Sequence, residues 1–465
     1  MVRPVNVLQV RIRLLDVCFF FVRTNGRKLP SLSRGIESMT SASPAEAARI
    51  PPKALVAVVI GNWLEFYDFI VYSFFAVQIG KAFFPGDDVW LSLLFASLVF
   101  WAGFLTRPLG AAVIGAYADR AGRRAAMTLT IMLMALGTGM LALTPGYNDI
   151  GILAPILLVM ARLIQGFSCG GEVGPATTYL LEAANTKQRA AFTAWQGISQ
   201  QFAGIAGSGL GLILAANLST EDLESWGWRI PFLLGILIGP VGLYIRRNLP
   251  ETIGQHEVHE SGMAVVTSLF RHNTTAVMLG MLCIVGPTVS TYVSAYMTSY
   301  AITTLGLSPA DGQFTTLCGY IAALAGFPIG AWFADRYGTK ISIVIPRVIF
   351  LLVVWQAYLI MTAKGTTLET IVLVNVFLNF ILAVSYGGLY ALLTEAFPKA
   401  VRSTGVSVAY ALSVTIFGGS TQTVLTWLIA TLEDPLVPAW YQIGANLLAL
   451  VGVMLITRAV DKRPG

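Results

Sequence analysis

The sequence predicts an all-α membrane protein with twelve transmembrane helices in two pseudo-symmetric six-helix halves. Three observations lead there. The 465-residue chain is 55% hydrophobic and 12% charged, with a mean hydropathy of +0.71, whereas a soluble domain carries about 25% charge. Apolar segments recur about every 30 to 35 residues, the spacing of ~20-residue spans joined by short loops. Two sequence features also return at nearly one offset, as inverted or duplicated membrane bundles do.

Taken in order, the apolar segments fall at 54–82, 90–117, 126–144, 151–182, 189–217 and 228–248, then at 273–301, 313–334, 341–362, 368–395, 400–430 and 438–457. Gly, Pro and charge clusters bound them. Each is long enough to cross ~30 Å of hydrocarbon at ~1.5 Å per residue, some with tilt. The loops then fix the orientation. One alternating set carries Arg120, Arg123, Arg124, Lys187, Arg189, Arg246, Arg247, Arg271, Arg336, Lys340, Lys399 and Arg402. The other carries Lys364 alone among basic residues, with acids that include Asp87, Glu221, Glu224 and Glu433. That asymmetry places the first set, and both termini, in the cytoplasm.

The basic excess of 30 Lys and Arg over 24 Asp and Glu does not point to nucleic acid. Seven basic and two acidic residues precede Met39, leaving 23 against 22 from there on. Residues 1–38 hold only one short apolar run and read as a misplaced start or a disordered tail. The four cysteines are scattered, without CxxC spacing, so neither a disulfide framework nor a metal site is expected. His256, His259 and His272 share one polar stretch, which excludes a histidine centre within the spans. No cofactor is expected.

The duplication rests on two features. Ala118-Asp119-Arg120-Ala121-Gly122-Arg123-Arg124 returns as Ala334-Asp335-Arg336-Tyr337-Gly338-Thr339-Lys340, offset by 216. Glu182 and Arg189 return as Glu395 and Arg402, offset by 213. The chain is therefore divided into a cytoplasmic N-terminal tail (1–53), a first half (54–248), a cytoplasmic connector (249–272), a second half (273–457) and a C-terminal tail (458–465). Repeats of this kind mark secondary transporters, with the substrate site between the halves near the midplane.

With these residues laid out, a family resemblance emerges. Asp119-Arg120-x-Gly122-Arg123-Arg124 after Gly115 resembles the loop motif of the major facilitator superfamily, and Arg162-Leu163-Ile164-Gln165-Gly166 resembles its helix-four motif. The blocks 61–69, Arg107-Pro108-Leu109-Gly110 and 226–231 look like the metabolite:proton symporter family, which includes citrate, 2-oxoglutarate, shikimate and proline/betaine carriers. Trp195-Gln196-x-x-Ser199-Gln200-Gln201, Phe417-Gly418-Gly419 and Lys81 look most like the citrate and tricarballylate branch. Two features depart from the pattern: Thr339 stands where Arg is expected, with its glycine one residue early at Gly330, and Arg347 has no counterpart. The resemblance implies the major facilitator fold, a small organic anion and protons as ligands, a cell inner membrane, and a functional monomer.

Charge in mid-bilayer costs ~2.5 kcal/mol or more, so ionisable groups there should share an aqueous vestibule or a partner. Asn62, Glu65, Asp68 and Tyr72 occupy an arc of about 120° on the first span. Arg162, Gln165, Cys169 and Glu172 share a face of the fourth. Glu65 and Arg162 both lie about 16 Å deep by residue count, which invites a charge pair. Such a pair either couples transport to protons through Glu65 or Asp68, or holds two helices together. Arg107, beside Pro108, is the candidate anion ligand, because guanidinium binds carboxylate bidentately; the alternative is snorkelling toward the cytoplasm.

Lys81 is a further anion contact or an interfacial anchor. Arg229, between Trp226 and Trp228, reads as a ligand or, more simply, as part of the interfacial belt. Arg347 is expected to snorkel. Gln196, Ser199 and Gln200 on the fifth span suit a polyacid or interhelical hydrogen bonding; the branch resemblance favours the former. Asp119, Arg120, Arg123, Arg124, Glu182, Arg189, Asp335, Arg336, Lys340, Glu395 and Arg402 are expected at the inner mouth, where the resemblance implies gate salt bridges. No span offers a nucleophile with a base, so enzymatic chemistry is not expected. A zwitterion carrier, or a receptor reusing the fold, remains the competing reading.

Overall fold

Hydrocarbon offers no hydrogen bonds to an exposed backbone, so a chain this apolar must satisfy its N–H and C=O groups within helices. The computed structural model describes residues 52–121, 123–170, 177, 180–181, 184, 188–247, 271, 273–398 and 402–461, and every regular element among them is helical. Glu172, Glu182, the segment 1–51 and nearly all of 249–272 lie outside the described residues. So do the side chains of Asp119, Arg120, Arg123 and Arg124.

The first part of the chain forms α1 (Pro52–Phe74), α2 (Ala76–Phe83), α3 (Val89–Leu105), α4 (Arg107–Ala121), α5 (Arg123–Leu143), α6 (Tyr147–Ile150) and α7 (Leu153–Cys169). It continues with α8 (Arg189–Thr193), α9 (Trp195–Asn217), α10 (Thr220–Ser225), a single 3₁₀ turn (Gly227–Arg229) and α11 (Ile230–Arg247). The second part forms α12 (Thr274–Thr303), α13 (Pro309–Tyr337), α14 (Thr339–Thr362), α15 (Leu368–Tyr386) and α16 (Leu389–Ala396). After α17 (Arg402–Ser413) comes a π-helical turn (Val414–Gly418), then α18 (Gly419–Leu432) and α19 (Val437–Asp461). Among the described residues, eight helical stretches are long and apolar enough to cross a membrane, and Thr128–Leu143 and Leu153–Cys169 are shorter apolar helices.

The ends are built by ordinary capping. Ser308 accepts from the Asp311 N–H at 3.2 Å and donates to its carboxylate at 2.7 Å, starting α13 just before Pro309. Ser219 and Asp222 do the same for the short surface helix α10. The Ser219 and Trp226 side chains donate to the exposed Asp222 carboxylate and hold its pKa below the usual range.

Two departures from regular helix meet in the middle of the bundle. Pro108 has no N–H to donate to the carbonyl of Phe104, and the helix breaks at Thr106 between α3 and α4. The freed Phe104 carbonyl accepts instead from the Thr415 hydroxyl at 3.2 Å, from the π turn. Thr415 also accepts, on its own carbonyl, the indole N–H of Trp101 at 3.0 Å. The two irregularities satisfy each other.

Glycines set the closest approaches. A Cβ on Gly166 would overlap the Gly103 carbonyl, and one on Gly110 would overlap the Phe167 carbonyl. Hence α7 lies backbone to backbone against α3 and α4. On α9, Gly197, Gly204 and Gly211 recur every seven residues, facing Phe327, Tyr320 and Gln313 of α13. This stripe, with α1 on α12 and α3 on α18, joins the first part of the chain to the second.

Candidate functional site

The polar stripe on α1 is shared between two neighbours. Asn62 faces α9, where its Nδ2 donates to the Gln196 carbonyl at 3.0 Å and to Ser199 Oγ, and Gln196 Nε2 returns a bond to Asn62 Oδ1 at 2.6 Å. Gln196 and Ser199 are thus engaged in helix–helix bonding. Gln200, one residue on, lines a cavity between the two parts of the chain beside Tyr390 and Tyr410.

Asp68, six residues from Asn62 on the other edge of the arc, faces α5 and α11. It is 8% exposed, and its carboxylate accepts from the Thr138 hydroxyl at 3.2 Å. The direct charge pair expected with Arg162 does not form. Arg162 is fully buried, donates to Gln165 Oε1 at 2.8 Å, and lies with its guanidinium carbon 3.8 Å from the centre of the Tyr72 ring. Gln165 Nε2 in turn donates to Thr138 Oγ1 at 2.9 Å. Arginine and carboxylate are therefore joined by three hydrogen bonds in series, Arg162–Gln165–Thr138–Asp68. The reason is steric: the aromatic face of Tyr72 occupies the space next to the guanidinium, and its hydroxyl is tied to the Ala96 carbonyl at 2.9 Å. Thr138 carried no signal in the sequence, being one hydroxyl in an apolar helix.

Arg107 heads α4 and does not snorkel. It is 7% exposed, with its guanidinium carbon 4.3 Å from the ring centres of both Phe69 and Phe104. Its Nε has no acceptor among the described residues. Cation–π contact with two rings offsets part of the cost of burying the charge. Glu65, Tyr292 and Tyr410 lie within electrostatic reach of it.

Two separate cavities flank α1. The first lies between the two parts of the chain and is lined by Phe66, Gln200, Gln201, Thr288, Tyr292, Tyr386, Tyr390 and Tyr410, among others. The second is a cleft enclosed by α1, α5, α7 and α11, and it is the one that Glu65 and Asp68 line. The expectation that Glu65, Asp68, Arg107 and Arg162 share one vestibule is corrected accordingly. A 120° arc is wide enough to touch different neighbours at its two edges.

At the end of the bundle where α4 meets α5, contacts cross between the two parts of the chain. Asp335 accepts from the backbone N–H groups of Ala190 and Ala191, at 2.9 and 3.0 Å, at the start of α8. Arg189 pairs with Glu395 at 3.1 Å. The repeated acid and base of the sequence are thus paired across repeats. Arg336 instead leans over Trp332 and Tyr337, and Arg402 Nε has no acceptor among the described residues.

At the opposite end, Lys81 binds Glu224 of α10 at 2.6 Å, and Arg229 donates to the Thr144 carbonyl at 2.9 Å while covering the Trp228 ring. Both contacts fasten loops. Arg347 overturns the snorkelling expectation: it is 0% exposed, and none of its three guanidinium nitrogens has a hydrogen-bond partner among the described residues. The α14 helix packs against α15, α19 and α13, and Arg347 lies on its buried face while Ile345, Ile349 and Leu352 are exposed.

Broken helices that exchange hydrogen bonds, buried charges beside internal cavities and ionic contacts across one mouth define an integral membrane transporter rather than an enzyme. The chain belongs to the major facilitator superfamily, whose family model matches residues 58–421. It is 35% identical over 407 residues to a citrate-proton symporter of Klebsiella pneumoniae, covering 87% of this chain and 91% of that protein. It is 31% identical over 425 residues to the glycine betaine/proline/ectoine/pipecolic acid transporter OusA of Dickeya dadantii, covering 88% of this chain and 84% of that one. In fold it is similar to the xylose transporter XylE of E. coli in a partially occluded inward open conformation. The TM-score is 0.69 at 16% identity, over 86% of this chain and 96% of that one.

Proposed function

We propose that this protein is a proton-coupled symporter that imports a small organic acid, a di- or tricarboxylate such as citrate or tricarballylate, by alternating access. The bundle is read as twelve spans in two six-helix halves, 54–248 and 273–457, joined by the connector 249–272. Both termini face the cytoplasm of a cell inner membrane, and the functional unit is a monomer. In this reading Arg107 is the anion ligand, Gln200 contributes a donor from α9, and the Arg162–Gln165–Thr138–Asp68 chain carries proton coupling, with Glu65 nearby. Asp335, Arg189 and Glu395 close the cytoplasmic mouth.

The observation that carries the anion reading is the buried Arg107 guanidinium, whose Nε has no acceptor among the described residues, near Tyr292 and Tyr410 of the cavity between the halves. A bidentate carboxylate supplies an acceptor to that Nε and to a terminal nitrogen. The likeness to a citrate-proton symporter supports the same class. The likeness to a betaine and proline carrier favours a second reading, a zwitterion symporter.

Proteoliposomes loaded with purified protein separate the two. Labelled citrate should accumulate when an inward proton gradient is imposed and only equilibrate without one, and citrate should raise the thermal stability of the purified protein. Arg107→Ala should abolish that thermal shift. Accumulation of proline or betaine but not citrate, with binding that survives Arg107→Ala, would establish the zwitterion reading instead.

A further inference from the structure

Among the described residues, the cleft that holds Glu65 and Asp68 is built from α1, α5, α7 and α11, all within the first half of the chain. Neither carboxylate lines the cavity between the halves. Asp68 and Gly235 form the deep end of the cleft. A Cβ on Gly235 would come 2.5 Å from Asp68 Oδ1, so the glycine keeps that oxygen accessible. Gly61, Thr130 and Ser168 form the shallow end. Thr130 lies seven residues past the start of α5 at Arg123, about 10 Å from the mouth that carries the basic loop, and Ser168 is one residue from the end of α7.

The wall is polar at that shallow end, where Ser168 Oγ donates to the Thr130 carbonyl at 2.6 Å. The cleft has a volume of about 50 Å³, enough for about three to five waters.

We propose that this cleft is a proton path distinct from the substrate path. A proton held by Asp68 passes to water in the cleft and leaves at the cytoplasmic mouth, while the organic acid leaves between the halves. The step regenerates the Asp68 carboxylate, to which Thr138 already donates. The inference rests on the symporter reading above. The titratable groups facing Asp68 are Tyr67 on its own helix and Arg162 on α7, with Glu65 and Cys169 lining the same cleft. Among the described residues, neither α5 nor α11 lines the cleft with a charged residue.

Filling the cleft tests this without touching the substrate cavity. A Cβ on Gly239 meets only Ala135, at 3.8 Å, so Gly239→Leu should be accommodated and should occupy the water space; Ala135→Leu fills it from the facing wall should the first variant fail to reach the membrane. In proteoliposomes, proton-gradient-driven citrate accumulation should fall by about tenfold or more, while citrate exchange, which moves no net proton, stays within about twofold of wild type. Thr288→Leu, in the cavity between the halves, should depress both. Accumulation at the wild-type rate in the filled variant overturns the proposal, as does equal loss of accumulation and exchange in a variant whose thermal stability is unchanged. Failure of the symporter reading looks different: the wild-type protein would then neither exchange nor accumulate citrate.

Discussion

Thr138 shows how much a single hydroxyl can carry inside a membrane bundle. It donates to Asp68 and accepts from Gln165, which in turn accepts from Arg162. Removing it strands a buried amide donor and a buried carboxylate, each worth about 1–3 kcal/mol. Thr138→Val keeps the shape and breaks the chain. It should lower proton-driven accumulation about tenfold, a loss of ~1.4 kcal/mol, while exchange persists. Thr138→Ser should restore it, because only the hydroxyl matters. Equal accumulation by the Val and Ser variants would remove the relay from the mechanism. Arg347 is the opposite case, a buried charge near Tyr386 and Cys283 with no hydrogen-bond partner among the described residues, and nothing in the structure explains why a hydrophobic residue of similar size does not stand there.

At the scale of elements, close approach and helix irregularity decide where side chains meet. The contact of α7 with α3 and α4 depends on backbone meeting backbone at Gly103, Gly110 and Gly166, and it is this contact that brings Arg162 under the rings of Tyr72, Phe69 and Phe100. The glycine stripe of α9 does the same against α13. Gly204→Val forces a branched side chain into the Tyr320 ring and should destabilise the protein by about 1–3 kcal/mol, the usual cost of overpacking. Tyr320→Ala should relieve much of that cost, and a double-mutant cycle on thermal unfolding reads the coupling directly. Additive effects would show that the two helices separate readily at this level.

For the whole molecule, the contacts proposed to close the mouth at the α4–α5 end differ in strength. The Arg189–Glu395 pair is partly exposed on both sides, 42% and 32% by side chain. Such pairs contribute about 0–1 kcal/mol and weaken with salt. Asp335 instead receives two backbone N–H groups at a helix start, an interaction worth up to about 2 kcal/mol where helix dipole and hydrogen bonds combine. Asp335→Asn should therefore open this mouth more than Glu395→Gln does, as read by spin-label distances across it. The effect of Glu395→Gln, but not that of Asp335→Asn, should fade at high ionic strength. The reverse order would assign closure to the ion pair.

Hydropathy alone made the membrane-spanning character legible, because lipid has no polar groups to compete for the backbone and apolar length is therefore decisive. Motif spacing likewise disclosed the superfamily, and helical periodicity placed Asn62, Asp68 and Arg162 inside the bundle, where they are buried. Periodicity fixes only the face of a residue's own helix, not the neighbour that face meets. Tertiary packing decided the rest: that Asn62 binds α9 while Asp68 turns toward α5, that Thr138 and Gln165 stand between carboxylate and arginine, that Arg189 crosses to Glu395, and that Arg347 is sealed from the surface. Each outcome depends on which side chains or glycines occupy the facing helices, and the spacing along a single helix does not contain that information.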